Sequence, residues 1–359
     1  MKDASISVVI PLFNGAKFIE STLRSVLAQS KPVLEILVID DGSSDHGAAL
    51  AAQFERVRVL GQKNLGSNAA RRVGVEAARG ERIAFLDHDD LWAPWHLAQL
   101  AAALDTDPEC AFAYAEAVTF FDGSLPRFAR SRAPSERVDP WRWQPSCYIL
   151  SASCVLLERE RLLEIGGWTT TVPIHDLYTW LSLSANRAAR RVGKSVGYRS
   201  SPNSSSNVAR RSPERLIVDH IQTLQAVLAA RSAPCDLRDI EAKLVVLQHL
   251  GALDHGDPAA LQDLADAMAR VPGAIVDVLS HAHWLYGPRW RESDLQRLVF
   301  LRNTWPRNHS TSTPVRGWID DGFLFSTLVQ QLRAEPLDWP RWCSFFASAL
   351  RRSVRRLAL

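Results

Sequence analysis

The N-terminal part of the chain alternates between short apolar runs and amphipathic helical patterns. Four apolar runs follow one another: ISVVIPL (6–12), LEILVID (34–40), RVRVL (56–60) and RIAFLD (82–87). Because these runs are continuous rather than alternating, we expect both faces of the strands to be covered, as in a parallel sheet between helices. Segments 16–29 and 67–80 supply the intervening helical patterns. This order predicts an open, mostly parallel α/β sheet through about residue 105.

The next part of the chain continues with strands and helices at less regular spacing. Segments CAFAYAEAVTF (110–120) and CYILSASCVLLER (147–159) are typical of strands. Between them, residues 121–146 are rich in Pro, Arg and Trp and predict a long loop over a cleft. RERLLEIGGW predicts a short helix that glycines stop, and DLYTWLSLSANRAAR (176–190) predicts an amphipathic helix.

Beyond the polar segment RSSPNSSSN, which indicates a linker or mobile loop, the pattern becomes helical throughout. Ser212 is a predicted N-cap, Pro213 follows at the first helical position, and apolar residues recur at helical spacing. We therefore predict two domains: an α/β domain over residues 1–208 and an all-helical domain over residues 209–359.

Composition narrows the class of protein. The chain has 359 residues and a formal net charge of +3, which is too small to require nucleic acid as a partner. No run of eighteen uninterrupted apolar residues predicts a transmembrane helix, and the N-terminus lacks a signal-peptide pattern. The cysteines have no zinc-site spacing, which favours buried free thiols and a cytoplasmic location; they are Cys110, Cys147, Cys154, Cys235 and Cys343.

Three carboxylates follow the fourth apolar run in AFLDHDDLW, namely Asp87, Asp89 and Asp90. Asp87 and Asp89 could share Mg²⁺ or Mn²⁺, which takes one or two protein carboxylates and completes its shell with phosphate oxygens and water. The alternative is a solvated turn in which Asp90 caps the helix near Pro94. Ligands of open parallel sheets bind outside the carboxyl ends of the strands, which favours the metal hypothesis.

Three other motifs have both a structural and a functional interpretation. Asp41, at the end of the second run, could accept a hydrogen bond from a base or ribose, although the following GSSD suits a turn. Arg71 and Arg72 open a helix whose N-terminus favours anions, so they are either an exposed pair or partners of a phosphate. Asp176 begins a helix and is either a cap or a general base.

Taken together, four ordered blocks resemble the inverting, GT-A-fold glycosyltransferases of family 2. The blocks are SVVIPLFNGAKFIESTLRSVLAQ, EILVIDDGSSD, NLGSNAARRVGVEAARGERIAFLDHDD and IGGW…HDLYTWL, and they cover roughly residues 5–205. The resemblance implies a Rossmann-like GT-A domain that moves one sugar from a nucleoside-diphosphate sugar, UDP-linked, to an acceptor hydroxyl with inversion. It does not extend to the helical C-terminal domain.

The resemblance also implies roles for matching residues. Pro11, Phe13, Asn14, Asp41, Arg71, Asp87 and His88 would bind the nucleotide sugar. Asp89, with Asp87, would hold the divalent metal, Mn²⁺ or Mg²⁺. Asp176 would be the general base, and Trp168 and His175 would lie on the acceptor side.

Two departures from the family pattern bear on activity. His175 precedes Asp176 where the family usually has Glu, and Ser201 stands in YRSSP where the family often has a metal- or diphosphate-binding His. A protonated imidazole beside Asp176 would lower the pKa of the base. At Ser201, either metal binding is weaker without the family's His or another group fills its place. The alternative function is therefore a catalytically impaired protein that binds nucleotide sugars or partners.

The sequence further bears on the acceptor. A glycan or a lipid-linked molecule is expected, and the absence of Gln-x-x-Arg-Trp favours single transfer over polymerisation. The tail FFASALRRSVRRLAL (345–359) could contact an anionic membrane at its inner face, or could form a surface helix with a solvated Arg face.

Overall fold

The computed structural model describes residues 4–128, 135–138, 149–185, 187–200 and 213–230. All of them belong to one compact unit, Met1–Asp236. Ser201, the predicted domain boundary at 208/209, and most of the predicted helical domain lie outside the described residues, so those expectations stay predictions.

The described residues include nine strands that form one sheet in the order β3-β2-β1-β4-β8-β6-β9-β5, with β7 paired to β9. The strands are β1 Ile6–Leu12, β2 Glu35–Asp40, β3 Val57–Gly61, β4 Arg82–Phe85, β5 Leu91–Trp92, β6 Ala113–Phe120, β7 Glu136–Val138, β8 Val155–Glu158 and β9 Ala189–Arg199.

The first half of this sheet confirms the prediction of parallel strands. β1 pairs in parallel with both β2 and β4, and β2 pairs in parallel with β3. β8 then pairs antiparallel with β4 and β6, while β6 and β9 are parallel. β1 is buried at every position, which explains why its sequence is apolar without alternation.

Helices cover this sheet as predicted. Those described are α1 Ile19–Leu27, α2 Gly47–Ala51, α3 Ser67–Ala77, α4 His96–Thr106, α5 Arg159–Glu164, α6 His175–Leu183 and α7 Pro213–Ala229. α3 packs against β1 and β2. Gly74 permits this close approach, because a Cβ at that position would lie 2.2 Å from Val9 Cγ1.

The later segments differ from the predicted elements. The helix expected at 176–190 ends at Leu183, and β9 begins at Ala189 instead. The arginines of β9 lie on a strand whose residues are partly exposed, so its sequence lacks the apolar run that would have predicted it. Of the described residues 149–159, those that form a strand are Val155–Glu158, and a 3₁₀ turn, Ala152–Cys154, precedes them.

An aromatic cluster anchors the second half of the unit. Trp168 lies 4.6 Å from the Phe85 ring and 5.6 Å from the Trp180 ring, and Trp180 in turn packs on Phe112. Gly166 and Gly167, both at positive φ, end α5 and turn the chain so that Trp168 enters this cluster. The cluster fixes α6 against the sheet.

Two further expectations can be compared with the described residues. Cys110 and Cys154 are buried free thiols, as predicted. Among the described helices, none combines the length and the apolar character needed to span a bilayer.

Candidate active site

A cavity of about 580 Å³ lies at the carboxyl ends of β1, β2 and β4. Its walls come from the loop after β1, the start of α3, the loop after β4, the 3₁₀ turn, the start of α6 and the end of β9. This is the edge where ligands of open α/β sheets bind, next to the point where the strand order reverses around β1.

Most of the site residues predicted from sequence line this one cavity. The lining residues among them are Pro11, Phe13, Asp41, Arg71, Asp87, His88, Asp89, His175 and Asp176. Asn14 and Trp168 are not among the lining residues. Side chains far apart in sequence therefore share one space, which the spacing of the motifs alone could not establish.

Asp87 is held as a carboxylate by two partners. Arg71, a buried residue of α3, donates from Nη2 to Asp87 Oδ1, and Ser151 Oγ donates to Asp87 Oδ2 over 3.0 Å. Burial raises the pKa of Asp87, but the charge and hydrogen bond of Arg71 outweigh it, so the pKa lies below its ordinary value. Arg71 is therefore not an exposed surface residue, and its predicted contact with a phosphate stays a prediction.

The neighbouring Arg72 behaves differently. It points outward and pairs with Glu76 one turn later on the same helix, Nε to Oε1 at 3.1 Å. Only one residue of the predicted arginine pair therefore faces the cavity.

Asp90 is a buried site residue whose role differs from the predicted helix cap. α4 begins at His96, and Asp90 instead accepts hydrogen bonds from Ser153 Oγ at 2.6 Å and from the Arg199 backbone N–H at 3.0 Å. Burial raises its pKa well above the ordinary value, and the charges of Asp87 and Asp89 add to this effect. Asp90 thus ties β9 and the 3₁₀ turn to the acidic loop.

Asp89 differs from Asp87 and Asp90 in the partners of its side chain. Within the described part of the chain it forms no ion pair with a Lys or Arg side chain, although Arg199 Nε donates to its backbone carbonyl at 2.9 Å. Burial raises the pKa of this carboxyl, and the charge of Asp87 raises it further. A cation beside Asp89 would relieve that unfavourable charge.

The donor set fits a divalent metal that is shared with a phosphorylated ligand. Over the described ranges, no three His, Cys, Asp or Glu side chains converge as a complete metal site. Asp89 and Asp87 can offer one or two carboxylate oxygens, which is what Mg²⁺ or Mn²⁺ takes when phosphate oxygens and water complete its shell.

Asp41 is buried and organises the loop that follows β3. Its Oδ1 accepts from Gln62 Nε2 at 2.7 Å and from the Leu65 N–H at 2.8 Å, and its Oδ2 accepts from the Gly66 N–H at 2.8 Å. About four acceptor positions exist on a carboxylate, so one remains, on Oδ2. Because Asp41 also lines the cavity, that position is available to a ligand.

The loop after β1 is shaped by two polar contacts. Asn14, at a positive φ of 47°, accepts from the Ser44 N–H at 2.8 Å, so its side chain joins the loops after β1 and β2. The imidazole Nδ1 of His88 lies 3.2 Å from the Pro11 carbonyl. Gly15 makes room for this ring, because a Cβ there would lie 2.3 Å from His88 Cδ2.

The start of α6 brings the predicted base into the cavity. Asp176 Oδ1 accepts from the Leu177 N–H at 2.8 Å. Ahead of it, the Ile174 N–H donates to Thr223 Oγ1 of α7 at 3.1 Å, which fixes the chain leading into the helix. His175 Nδ1 lies 2.9 Å from the amide nitrogen of Asn68 on α3.

Trp168 lies behind the cavity wall, not on the acceptor surface that the resemblance implies. Its side chain is buried, its Nε1–H donates to Asn68 Oδ1 at 3.1 Å, and its ring lies 5.4 Å from the Arg71 guanidinium carbon. Trp168 therefore supports Asn68 and Arg71, which do line the cavity.

The lining residues that sequence reasoning missed include Asn68, Ser151, Tyr198 and Arg199. Ser and Asn are common polar residues in loops, so their types carried no signal at these positions. Arg199 belongs to YRSSP, in which only Ser201 occupies the position of a family motif residue. The Arg199 side chain lies between the Phe18 and Phe120 rings, at 4.4 Å from each, and pairs with Asp122.

Comparison with known proteins agrees with this architecture. The sequence profile described as Glycosyl transferase family 2 matches residues 7–165. TuaG of Bacillus subtilis, named as a glycosyltransferase of teichuronic acid biosynthesis, is 30% identical over 183 residues, which cover 50% of this chain and 71% of TuaG. The glycosyltransferase alr2836 of Nostoc sp. is 36% identical over 106 residues, 28% of this chain and 33% of alr2836. The chain thus spans about a third of the length of that relative.

Solved structures share the fold at low sequence identity. TarS 1–349 of S. aureus, solved with UDP-GlcNAc, aligns with a TM-score of 0.55 and 17% identity over 84% of this chain and 91% of TarS 1–349. The mannosyltransferase PcManGT of Pyrobaculum calidifontis, solved with GDP-Man and Mn²⁺, aligns with a TM-score of 0.52 and 16% identity over 93% of this chain and 88% of its own. The fold and the extent of the TuaG match together show that this chain belongs to glycosyltransferase family 2.

Proposed function

We propose that the protein transfers a single sugar from a UDP-sugar to an acceptor hydroxyl, with inversion at the anomeric carbon. The observation that carries this proposal is the shared cavity, in which the acidic loop after β4, Arg71 and Asp176 face one another. The acidic loop and Arg71 suit a phosphorylated donor, and Asp176 suits a hydroxyl acceptor, so the reaction needs all three in one space.

Uridine is favoured over guanosine by the hydrogen bonds of Asp41. Gln62, Leu65 and Gly66 occupy three acceptor positions, including both on Oδ1. Uracil presents one ring N–H, which the remaining position on Oδ2 can accept. Guanine presents two adjacent N–H donors, which would require a free position on each oxygen. Solved neighbours carry either base, UDP-GlcNAc in TarS and GDP-Man in PcManGT, so the preference rests on the Asp41 hydrogen bonds.

The diphosphate would lie between the acidic loop and α3. Arg71 has a buried Nε–H that finds no hydrogen-bond partner among the described residues, which suits an anionic oxygen. Asp89 and Asp87 would hold Mn²⁺ or Mg²⁺, and the chemistry that this ion supplies when bound is stabilisation of the charge developing on the leaving diphosphate.

Asp176 would act as the general base. It lines the cavity from the N-terminal turn of α6, and its position there is fixed through Ile174 and Thr223. The carboxylate would take the proton from the acceptor hydroxyl while that oxygen attacks the anomeric carbon on the face opposite the diphosphate. One such displacement inverts the configuration.

The acceptor is proposed to be a glycan or a lipid-linked saccharide in polysaccharide biosynthesis. The name of TuaG, a teichuronic acid enzyme, supports a polysaccharide context. The basic segment 345–359, proposed to contact an anionic membrane, lies outside the described residues.

The test is the Asp176→Asn variant. We expect donor binding within about threefold of the wild type and a loss of transfer of at least about 10²-fold, which is the lower range for general-base catalysis. Calorimetric titration with UDP and with GDP in Mn²⁺ measures binding and the base preference, and product analysis with a panel of UDP-sugars measures transfer. Wild-type turnover in the variant would reject Asp176 as the base.

The catalytically impaired alternative has a different outcome in the same experiment. If the wild-type protein binds UDP-sugars but neither transfers nor hydrolyses them in Mn²⁺, the protein is a nucleotide-sugar-binding member of the fold and not an enzyme.

A further inference from the structure

The Asn68 side chain has only one orientation that satisfies its neighbours. Arg71 Nη1 and Trp168 Nε1 both lie 3.1 Å from Asn68 Oδ1. Guanidinium and indole nitrogens only donate hydrogen bonds, so the atom between them must be the amide oxygen. The amide NH₂ group of Asn68 therefore faces His175.

This orientation determines the protonation of His175. Because the Asn68 NH₂ group donates over 2.9 Å, His175 Nδ1 must accept and cannot carry a proton. The proton of the neutral ring is then on Nε2. The backbone carbonyls of Thr170 and Pro173 also act on the ring, and each raises the pKa of His175.

The charges around the ring agree with a neutral imidazole. Burial lowers the pKa of His175, and the nearby positive charge of Arg71 lowers it further. The negative charge of Asp176, on the same helix, raises the pKa of His175, and so do the two carbonyls. The pKa nevertheless stays below its ordinary value.

We propose that Asn68 is a positioning residue that locks His175 as the neutral Nε2–H tautomer, so that His175 braces the start of α6 without placing a positive charge beside Asp176. This proposal rests on the proposed role of Asp176. It explains how this chain uses His at a position next to the base: the ring links α3 to the first residue of α6 through Asn68, and as a neutral group it places no positive charge beside the base.

The first experiment observes the tautomer directly and requires no substrate. Two-bond ¹H–¹⁵N correlation spectra of the full chain with ¹⁵N-labelled histidine distinguish protonated from unprotonated ring nitrogens, and the His175→Gln spectrum assigns the signals. At pH 7 we expect His175 Nδ1 to be unprotonated and Nε2 to be protonated. A protonated Nδ1, in either the other tautomer or the imidazolium, would overturn the proposal.

The Asn68→Asp variant replaces the amide NH₂ group that faces His175 with a carboxylate oxygen, and so reverses the proposed preference for the neutral ring. Its carboxylate still accepts from Arg71 and Trp168, and an acidic side chain is favourable in the first turn of α3. An oxygen now faces His175 Nδ1, so the imidazolium becomes the preferred form. We expect the pKa of His175 to rise by about one unit or more. An unchanged His175 titration would overturn the proposed lock.

Kinetic measurements then distinguish a positioning role of Asn68 from a general loss of folded protein. At pH 7, we expect kcat of Asn68→Asp to fall by about tenfold or more, while the Kd for UDP changes by less than about threefold. Gln53→Glu is the matched control, because it adds the same charge at an exposed position after α2. His175→Gln, which can accept from Asn68 and donate to a carbonyl, should retain more kcat than His175→Ala.

The outcomes distinguish this proposal from the proposed function. If the tautomer is as expected but kcat of Asn68→Asp equals that of the control, the positioning role is wrong. If Asp176→Asn keeps wild-type turnover, the proposed base is wrong, whereas the tautomer measurement still tests the lock.

Discussion

Two serines separated by one residue determine how three neighbouring carboxylates share a small volume. Ser151 donates to Asp87, and Ser153 donates to Asp90 while its oxygen also accepts from the Asp87 N–H at 3.0 Å. Asp87 and Asp90 are therefore each held by a serine, whereas Asp89 forms no ion pair with a Lys or Arg side chain among the described residues. The repulsion visible in the sequence as DHDD is resolved by partners more than sixty residues away.

At this scale, Gly15 offers a sharp test of the nucleotide-binding loop. We expect Gly15→Ala to displace His88 and to destabilise the protein by about 1–3 kcal/mol, because a Cβ would overlap His88 Cδ2 and Leu12 Cδ1. UDP affinity should fall as the loop shifts. Urea unfolding and UDP titration measure the two effects.

Gly61→Ala is the matched control for this substitution. No atom of the described residues lies within 4 Å of a Cβ at Gly61, and the change in stability there should stay within about 0.5 kcal/mol. Equal stability of the two variants would show that the loop relaxes around the added methyl group.

A site residue could be predicted from the sequence when its residue type is uncommon at that position of the fold. Acidic residues directly after a buried strand, such as Asp41 and Asp89, have few structural explanations, so their types pointed to the cavity. Asn68 and Ser153 could not be found in this way, because their importance depends on partners that only the folded chain brings within hydrogen-bonding distance.

At the scale of elements, α7 holds the entrance to α6. The two helices pack together, and Thr223, a buried residue of α7, joins its side chain to the backbone before α6. α7 thus packs within the unit that contains the cavity, although its sequence pattern is like that of the predicted helical region.

We predict that Thr223→Val, which keeps the shape of the side chain, lowers stability by about 1 kcal/mol because the Ile174 N–H loses its partner. If α7 positions Asp176, kcat should fall several-fold with little change in UDP affinity. Steady-state kinetics and UDP titration separate these effects.

Thr106→Val is a suitable control, since Thr106 is exposed and only bonds within its own helix, to the Ala102 carbonyl. If Thr223→Val and Thr106→Val have the same kcat, α7 does not position the base.

Elements were predictable from sequence where burial is uniform. β1 was predicted with its exact bounds, Ile6–Leu12, because every residue in it is buried. β9 was missed because its partly exposed positions carry arginines that pair with Glu116, Glu136 and Asp107. Tertiary ion pairs stabilise such a strand, and no local pattern records them.

At the scale of the whole molecule, stability depends on pH through a buried histidine. His96 is fully buried, stacks on Trp92, and its Nδ1 lies 2.8 Å from Ser195 Oγ. Burial lowers its pKa from 6.5 to about 3, so the folded protein keeps the ring neutral. As the pH falls below 6.5, the unfolded chain takes up a proton that the folded protein does not, and stability decreases down to about pH 3.

We therefore predict that His96 alone removes about 2 kcal/mol of unfolding free energy between pH 7 and pH 5. His96→Phe keeps a flat ring against Trp92 but cannot titrate, so its stability should decrease less over this range. Urea unfolding at several pH values gives the two slopes. His46→Gln removes an exposed imidazole and should retain the wild-type slope; a wild-type slope in His96→Phe would contradict the prediction.

The global arrangement was only partly predictable. The parallel half of the sheet follows from the regular spacing of strands and helices, since short crossovers leave few choices. The second half is irregular, because β6 pairs with β8 and β9, which lie later in the chain and run in opposite directions to each other. Such long-range pairings leave no periodic trace in sequence.

The position of β9 in the sheet matters while the chain is still being synthesised. β9 fills the place between β6 and β5, so β6 has an open edge until the ribosome has released Arg199. The nascent chain that ends near residue 165 can already form the parallel half, but its unpaired strand edge is prone to aggregation. Among the residues that line the cavity, those of α6 and β9 are synthesised after this half, so the cavity is complete only once Arg199 has been made. Translation thus completes the parallel half of the sheet before it delivers the proposed base.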